Sequence, residues 1–166
     1  MAIAARLEGD THVAGTLTAN TITLPNLTVT DAMVAAAAGI GTAKMLHRCH
    51  AMYAQESATA CTDESVCLAV IYGATGTLVS FKVGAVVACV GEAVVSIDLL
   101  KDGVSVLTAA VEIDSADPAY TPVAGTIDTA AVVAGDVLEV SIDETTGGGT
   151  APKGVYCELV YDEDPA

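Results

Sequence analysis

The chain contains no tryptophan, a single phenylalanine and only six lysine or arginine residues among 166. Each scarcity excludes something. With 21 acidic residues against those six, the formal charge is −15, so nucleic acid and anionic membrane surfaces would repel the chain. Aromatics make up 4% of the residues, which weighs against a sugar site built by stacking rings. No long apolar run exists either. The most hydrophobic one, Val83 to Val95, is interrupted by Gly84, Gly91 and Glu92 and falls short of the roughly 20 residues of a membrane span. At the start, Arg6 and Glu8 break up "MAIAARLEGD" before a signal-peptide core develops, so folding in a cytosol is expected. The five cysteines are an odd number without a C-x-x-C pair. Cys89 and Cys157 lie in apolar runs and read as small core residues. Cys61 and Cys67 flank "TDESV" and could approach each other, although a cytosolic chain favours free thiols.

What is present is small and apolar. Hydrophobic residues are 52% of the chain, mainly Ala and Val, a composition suited to thin, closely packed β layers rather than to disorder. Fifteen glycines and abundant threonine add turns and strand formers. The length suits one main domain with appendages.

Three regions separate by pattern. Residues 1–29 read as an extended β-arm. Val13, Gly15, Leu17 and Ala19 share one face of "HVAGTLTAN", and Ile22 and Leu24 rejoin it if a bulge near Asn20 shifts the parity. Pro25 ends the ladder. Residues 30–63 read as short helices and a linker. Thr30 would cap "DAMVAAAAG", Thr42 would cap "AKMLHRCH", and a polar connection follows. Residues 64–166 read as a β-sandwich of jelly-roll type. Its expected strands are 66–72, 77–82, 84–90, 93–101, 104–113, 121–133 in two pieces, 136–143 and 154–162, with Asp102-Gly103 as a hairpin turn.

The candidate chemistry is thin. "HRCH" brings His47, Cys49 and His50 within four residues, but no second ligand pair exists elsewhere to complete a zinc site. A short helix would put His47 and His50 on one face, in a packing or hydrogen-bonding role. "GIGTAK" and "TGGGTAPKG" lack the spacing and the strand–helix context of phosphate loops and read as turns. The carboxylates Asp98, Glu112, Asp114, Asp117, Glu139, Asp143 and Glu144 sit at strand ends or alternate with aliphatic residues, as on a solvated sheet face. No nucleophile elbow or Ser-His-Asp context is present. The expectation is a protein that is not an enzyme and carries no cofactor and no metal.

"LEGDTHVAGTLTANTITLP" resembles the arm found in virion proteins of tailed bacteriophages. "VTDAMVAAAAGIGTAKMLHRCHAMYAQ" resembles the linker of small proteins encoded among phage structural genes, and "VSIDLLKDGVSVLTA" resembles the paired strands of their sandwich. The family that the chain resembles is that of capsid decoration, or cement, proteins, with head fibres or tail fibres as near neighbours. The resemblance implies a homotrimer on the capsid exterior that bridges copies of the major capsid protein and stabilises the shell. It places the chain in the virion, after synthesis in the host bacterial cytoplasm. Val13, Leu17, Ile22, Leu24, Met33 and Val34 are the oligomer or capsid contacts expected on this reading. The alternative is a trimeric head or tail fibre module whose sandwich binds host-surface glycan.

Overall fold

The computed structural model describes residues 47–164, and these are all strands, turns and loops. Ten strands run in order: β1 (His47–Ala54), β2 (Glu64–Val70), β3 (Thr75–Val87), β4 (Val94–Lys101), β5 (Val104–Ser105), β6 (Val111–Ile113), β7 (Val123–Gly125), β8 (Ala131–Val133), β9 (Val137–Thr145) and β10 (Lys153–Asp164). They form two antiparallel sheets. The first has the order β1-β10-β3-β7, with β8 also on β3; the second has the order β2-β9-β4-β5, with β6 also on β4.

The alternation of buried and exposed residues explains why two sheets stack. Leu138, Val140 and Ile142 of β9 and Val95, Ile97 and Leu99 of β4 point inward and are at most 3% exposed. They meet Phe81, Val83, Val155, Cys157 and Leu159 of the first sheet in one core. Full burial of such side chains is worth about 1.5–3 kcal/mol each. Cys89 and Cys157 are core residues, as their apolar contexts predict.

Several elements differ from the sequence reading. "HRCH" opens a strand rather than closing a helix: His47 to Ala54 pair residue by residue with Glu163 to Tyr156. The stretches 77–82 and 84–90 are not two strands, because β3 runs through Gly84. The Tyr156 side chain lies over that glycine, in the space a Cβ would need. The expected strand 104–113 is instead two short ones. Between them, Val106 NH bonds Leu99 C=O at 2.9 Å, Thr108 NH bonds Thr126 C=O at 2.9 Å, and Leu107 bridges to Ile127. Val106 thus still donates to β4, while Leu107 and Thr108 join the β7–β8 connection of the other sheet, closing that side of the sandwich. The Asp102-Gly103 turn is as expected: φ is 51° and 79°, the left-handed pair of a two-residue hairpin loop. The proposed β-arm and the capped Ala-rich helix lie outside the described residues.

Candidate interaction surfaces

All six expected contact residues, Val13, Leu17, Ile22, Leu24, Met33 and Val34, lie outside the described residues. The described part of the molecule offers two sheet faces and the edges of the sheets.

On β1 the period of two splits "HRCH". Cys49, Ala51 and Tyr53 turn toward the core, while Arg48, His50 and Met52 face outward. His47 and His50 thus fall on opposite faces and cannot act as a helical pair. Arg48 holds Asp162 across the β1–β10 ladder with both prongs, Nε to Oδ1 at 2.8 Å and Nη2 to Oδ2 at 2.9 Å. This charge-assisted pair lowers the Asp162 carboxyl below its ordinary 3.8 and raises the guanidinium, chiefly through the hydrogen bonds themselves. One row along, His50 Nδ1 lies 3.4 Å from Glu158 Oε1, and Lys82 is the register partner of Glu158 on its other flank. The outer face of the first sheet therefore carries Arg48 and Lys82 against Glu158 and Asp162. Asp164 follows on the same side of β10, where it accepts from Thr75, so two positive charges meet three negative ones.

The outer face of the second sheet is different. Asp143, Ser96 and Glu112 lie in one cross-strand row, Ser141 and Asp98 in the next, and Glu139 and Leu100 in a third. The inward residues of β4, β6 and β9 are buried, so these side chains face solvent. Among the described residues none of the four carboxylates has a cationic partner. The solvated face expected for Asp98, Glu112, Glu139 and Asp143 is what the register produces. Asp114 and Asp117 serve a turn: Ala116 NH donates to Asp114 Oδ1 at 2.7 Å and Asp114 NH to Asp117 Oδ2 at 3.1 Å. Glu144 instead turns inward at the sandwich end, with a buried Oε1, and its main-chain NH donates to Asp63 at 2.8 Å.

The β1–β2 connection holds a network that no local pattern announces. Tyr53 OH donates to Glu64 Oε2 at 2.5 Å, and Gln55 Nε2 donates to the same carboxylate and to Thr62 C=O. The Glu64 bond, reinforced by partial burial, pushes the Tyr53 phenol up to about 12. Cys61 and Cys67 are both free thiols: Cys61 is buried and Cys67 lies exposed on β2. Desolvation lifts Cys61 to about 12 and Cys157 to about 11, so neither supplies a thiolate near neutral pH. Among the described residues no three His, Cys, Asp or Glu side chains converge as metal ligands, and no pocket opens.

Two tyrosines are strongly exposed, Tyr72 at 81% and Tyr120 at 71%. They do not form a shared platform. Tyr72 NH bonds Glu163, whose register partner is Gly76, whereas Tyr120 NH bonds Ala85 near the other end of β3. Those two β3 positions are about 30 Å apart at the rise of an extended strand. The sequence matches no protein-family model and no curated protein.

Proposed function

We propose that this chain is a structural virion protein that binds the outside of a phage capsid as a trimer and stabilises the shell by bridging capsomers. The observation that carries the reading is the strand order. Taking β5 with β6 and β7 with β8 as single positions, the chain visits the two sheets in the order first, second, first, second, second, first, second, first. Every pairing is antiparallel. Such nesting of hairpins supports a jelly-roll sandwich, an architecture common to viral shell proteins and lectins. The fold alone does not choose between them. The resemblance of the N-terminal segment to virion arms favours the capsid, and the separation of Tyr72 from Tyr120 weighs against an aromatic platform of the kind a glycan site would use.

On this reading the work is thermodynamic. Each copy buries surface across capsid subunits, and that surface is lost when the shell expands or splits. The test is retention of the protein on isolated capsids during heating, for the wild type, Leu17→Asp and Thr18→Asp. Leu17→Asp places a charge on the apolar side of the arm, and Thr18→Asp places one on the opposite side. Early release of Leu17→Asp, with Thr18→Asp retained like the wild type, is expected. Failure of the wild type to bind capsids at all refutes the function. Equal retention of the two variants refutes the role of the arm.

A further inference from the structure

We infer that the end of the sandwich where β3 passes into β4 is a docking surface for a basic protein segment, with Tyr120 as its anchor. The inference rests on the capsid reading and assigns both the part of the sandwich that meets the shell and the chemistry the shell presents there. Four connections are tied together at this end. Cys89 Sγ donates to the C=O of Ile113, the last residue of β6, at 3.5 Å. Tyr120 NH, in the β6–β7 connection, bonds Ala85 C=O of β3 at 2.9 Å. Val90 bridges to Thr150 of the β9–β10 connection, and Ala60 of the β1–β2 connection bridges to Lys153. Connections gathered on a rigid scaffold are where binding residues concentrate. Three apolar side chains stand out at this end: Tyr120 is 71%, Val90 60% and Val87 45% exposed.

Tyr120 is held in place as well as exposed. Its φ is 61°, in the left-handed region that a bulky residue seldom enters, and such strain persists only where the surroundings fix it. Here the loop fixes it. Asp114 NH bonds Asp117 Oδ2 at 3.1 Å, Ala116 NH bonds Asp114 Oδ1 at 2.7 Å, and Thr121 NH bonds Pro118 C=O at 3.2 Å. Pro118 and Pro122 stiffen the chain on either side. A preset aromatic side chain loses little freedom on binding, and tyrosine is a residue on which interface energy concentrates. Charge then selects the occupant. The four connections carry Glu56, Asp63, Glu92, Asp114 and Asp117 and no Lys, Arg or His; Glu144 adds a further carboxylate and Lys153 a single positive charge. Another copy at −15, nucleic acid and an anionic membrane are all repelled here. An arginine or lysine side chain is attracted both by carboxylates and by the face of an exposed ring. The outer face of the second sheet is acidic too, but its strands contain no aromatic residue, so it lacks the apolar half of such a contact.

The experiment is co-sedimentation of the full chain with isolated capsids at increasing sodium chloride, for the wild type, Tyr120→Asn, Tyr120→Phe and Tyr72→Asn. Asparagine tolerates the same φ, so Tyr120→Asn removes the ring and leaves the loop as it is. The wild type should bind less tightly as salt rises. Tyr120→Asn should bind about tenfold more weakly, as for loss of an aromatic anchor. Tyr120→Phe keeps the ring and Tyr72→Asn lies at the other end of β3, so both should bind like the wild type. Glu56→Gln combined with Glu92→Gln, both exposed, should flatten the salt dependence. Nitration of the wild type reads the same surface without a mutation: Tyr120 should be labelled in the free protein and protected on capsids. Tyr120→Asn binding like the wild type, or Tyr120 nitrated equally on and off capsids, overturns the docking end while leaving the capsid reading intact. Binding indifferent to salt overturns the basic partner. A wild type that does not bind capsids overturns both readings.

Discussion

Gly125 on β7 packs against side chains of the other sheet, and that contact can be weighed in solution. A methyl group at this position would lie 2.9 Å from Val111 Cγ2, 3.3 Å from Phe81 Cδ1 and 3.4 Å from Leu107 Cδ1. Val111 and Leu107 belong to the second sheet's side of the sandwich, and all three neighbours are buried. The Val111 contact is about 0.6–1.1 Å inside the optimum for two carbon atoms. Overpacking of this kind costs about 1–3 kcal/mol. Burying the extra methyl returns about 0.8 kcal/mol. The narrower unfolded ensemble of alanine adds about 0.4–1 kcal/mol. Gly125→Ala alone should therefore fall between about 1 kcal/mol stabilising and about 2 kcal/mol destabilising. The sharper quantity is its coupling to Val111→Ala, which removes the colliding methyl. In that background Gly125→Ala should become stabilising, with a coupling of about 1–2 kcal/mol. Urea denaturation of the four proteins, with unchanged m-values as the check on two-state behaviour, measures it. Additivity within about 0.3 kcal/mol would mean that β7 does not face β6 across the core, and the closure of this side would be wrong.

Three further outcomes follow from particular contacts. Gly149→Ala should destabilise more than Gly125→Ala, because its Cβ would run into the main chain at Val90, Ala93 and Glu92, which cannot swing aside; a midpoint of urea unfolding equal to that of the wild type would contradict this. A thiol reagent such as an aromatic disulfide should label Cys67 promptly in the native protein and reach Cys61, Cys89 and Cys157 only with unfolding, since those three are at most 4% exposed; prompt labelling of Cys157, read by peptide mass, would refute the core placement. For Asp162, whose folded pKa is depressed by the Arg48 hydrogen bonds, the stabilisation is fully present above about 3.9 and is lost as pH falls through the folded value. The stability gap between the wild type and Arg48→Met should thus be constant above that pH and shrink below it; a gap that widens on acidification would reverse the assignment.

The strands that could be read from the sequence are those whose neighbours impose a strict period of two. β4 and β9 alternate because one face is core and the other water, and their inward residues could be named from the pattern alone. The Asp102-Gly103 turn was legible because its backbone demands residues that tolerate positive φ. The break between β5 and β6 was not. "VSVLTAAVEI" keeps strand-forming residues throughout, and what interrupts it is a long-range bridge from Leu107 to Ile127. Gly84 misled in the opposite direction. A glycine in an apolar run reads as a boundary, yet Tyr156 supplies from the next strand the cover that glycine lacks. The Tyr53–Gln55–Glu64 network was beyond reach for the same reason, since its members converge only when the β1–β2 connection folds back.

"HRCH" shows how one wrong period changes chemistry as well as shape. At 3.6 residues per turn His47 and His50 share a face, and Cys49 stands near enough to invite a metal. At two residues per repeat the same four side chains sort into opposite layers. Cys49 packs against the core, and Arg48 and His50 face outward toward Asp162 and Glu158. The local signal for a helix came from Ala, Lys, Met and Leu upstream, all good helix formers. What outweighs it over His47–Ala54 is an unbroken register with β10, eight residues long, made with the far end of the chain. Such pairing is invisible to any window of sequence. The ligand cluster therefore dissolves: its cysteine is a core-facing thiol, and its arginine and second histidine reach across to carboxylates of the neighbouring strand.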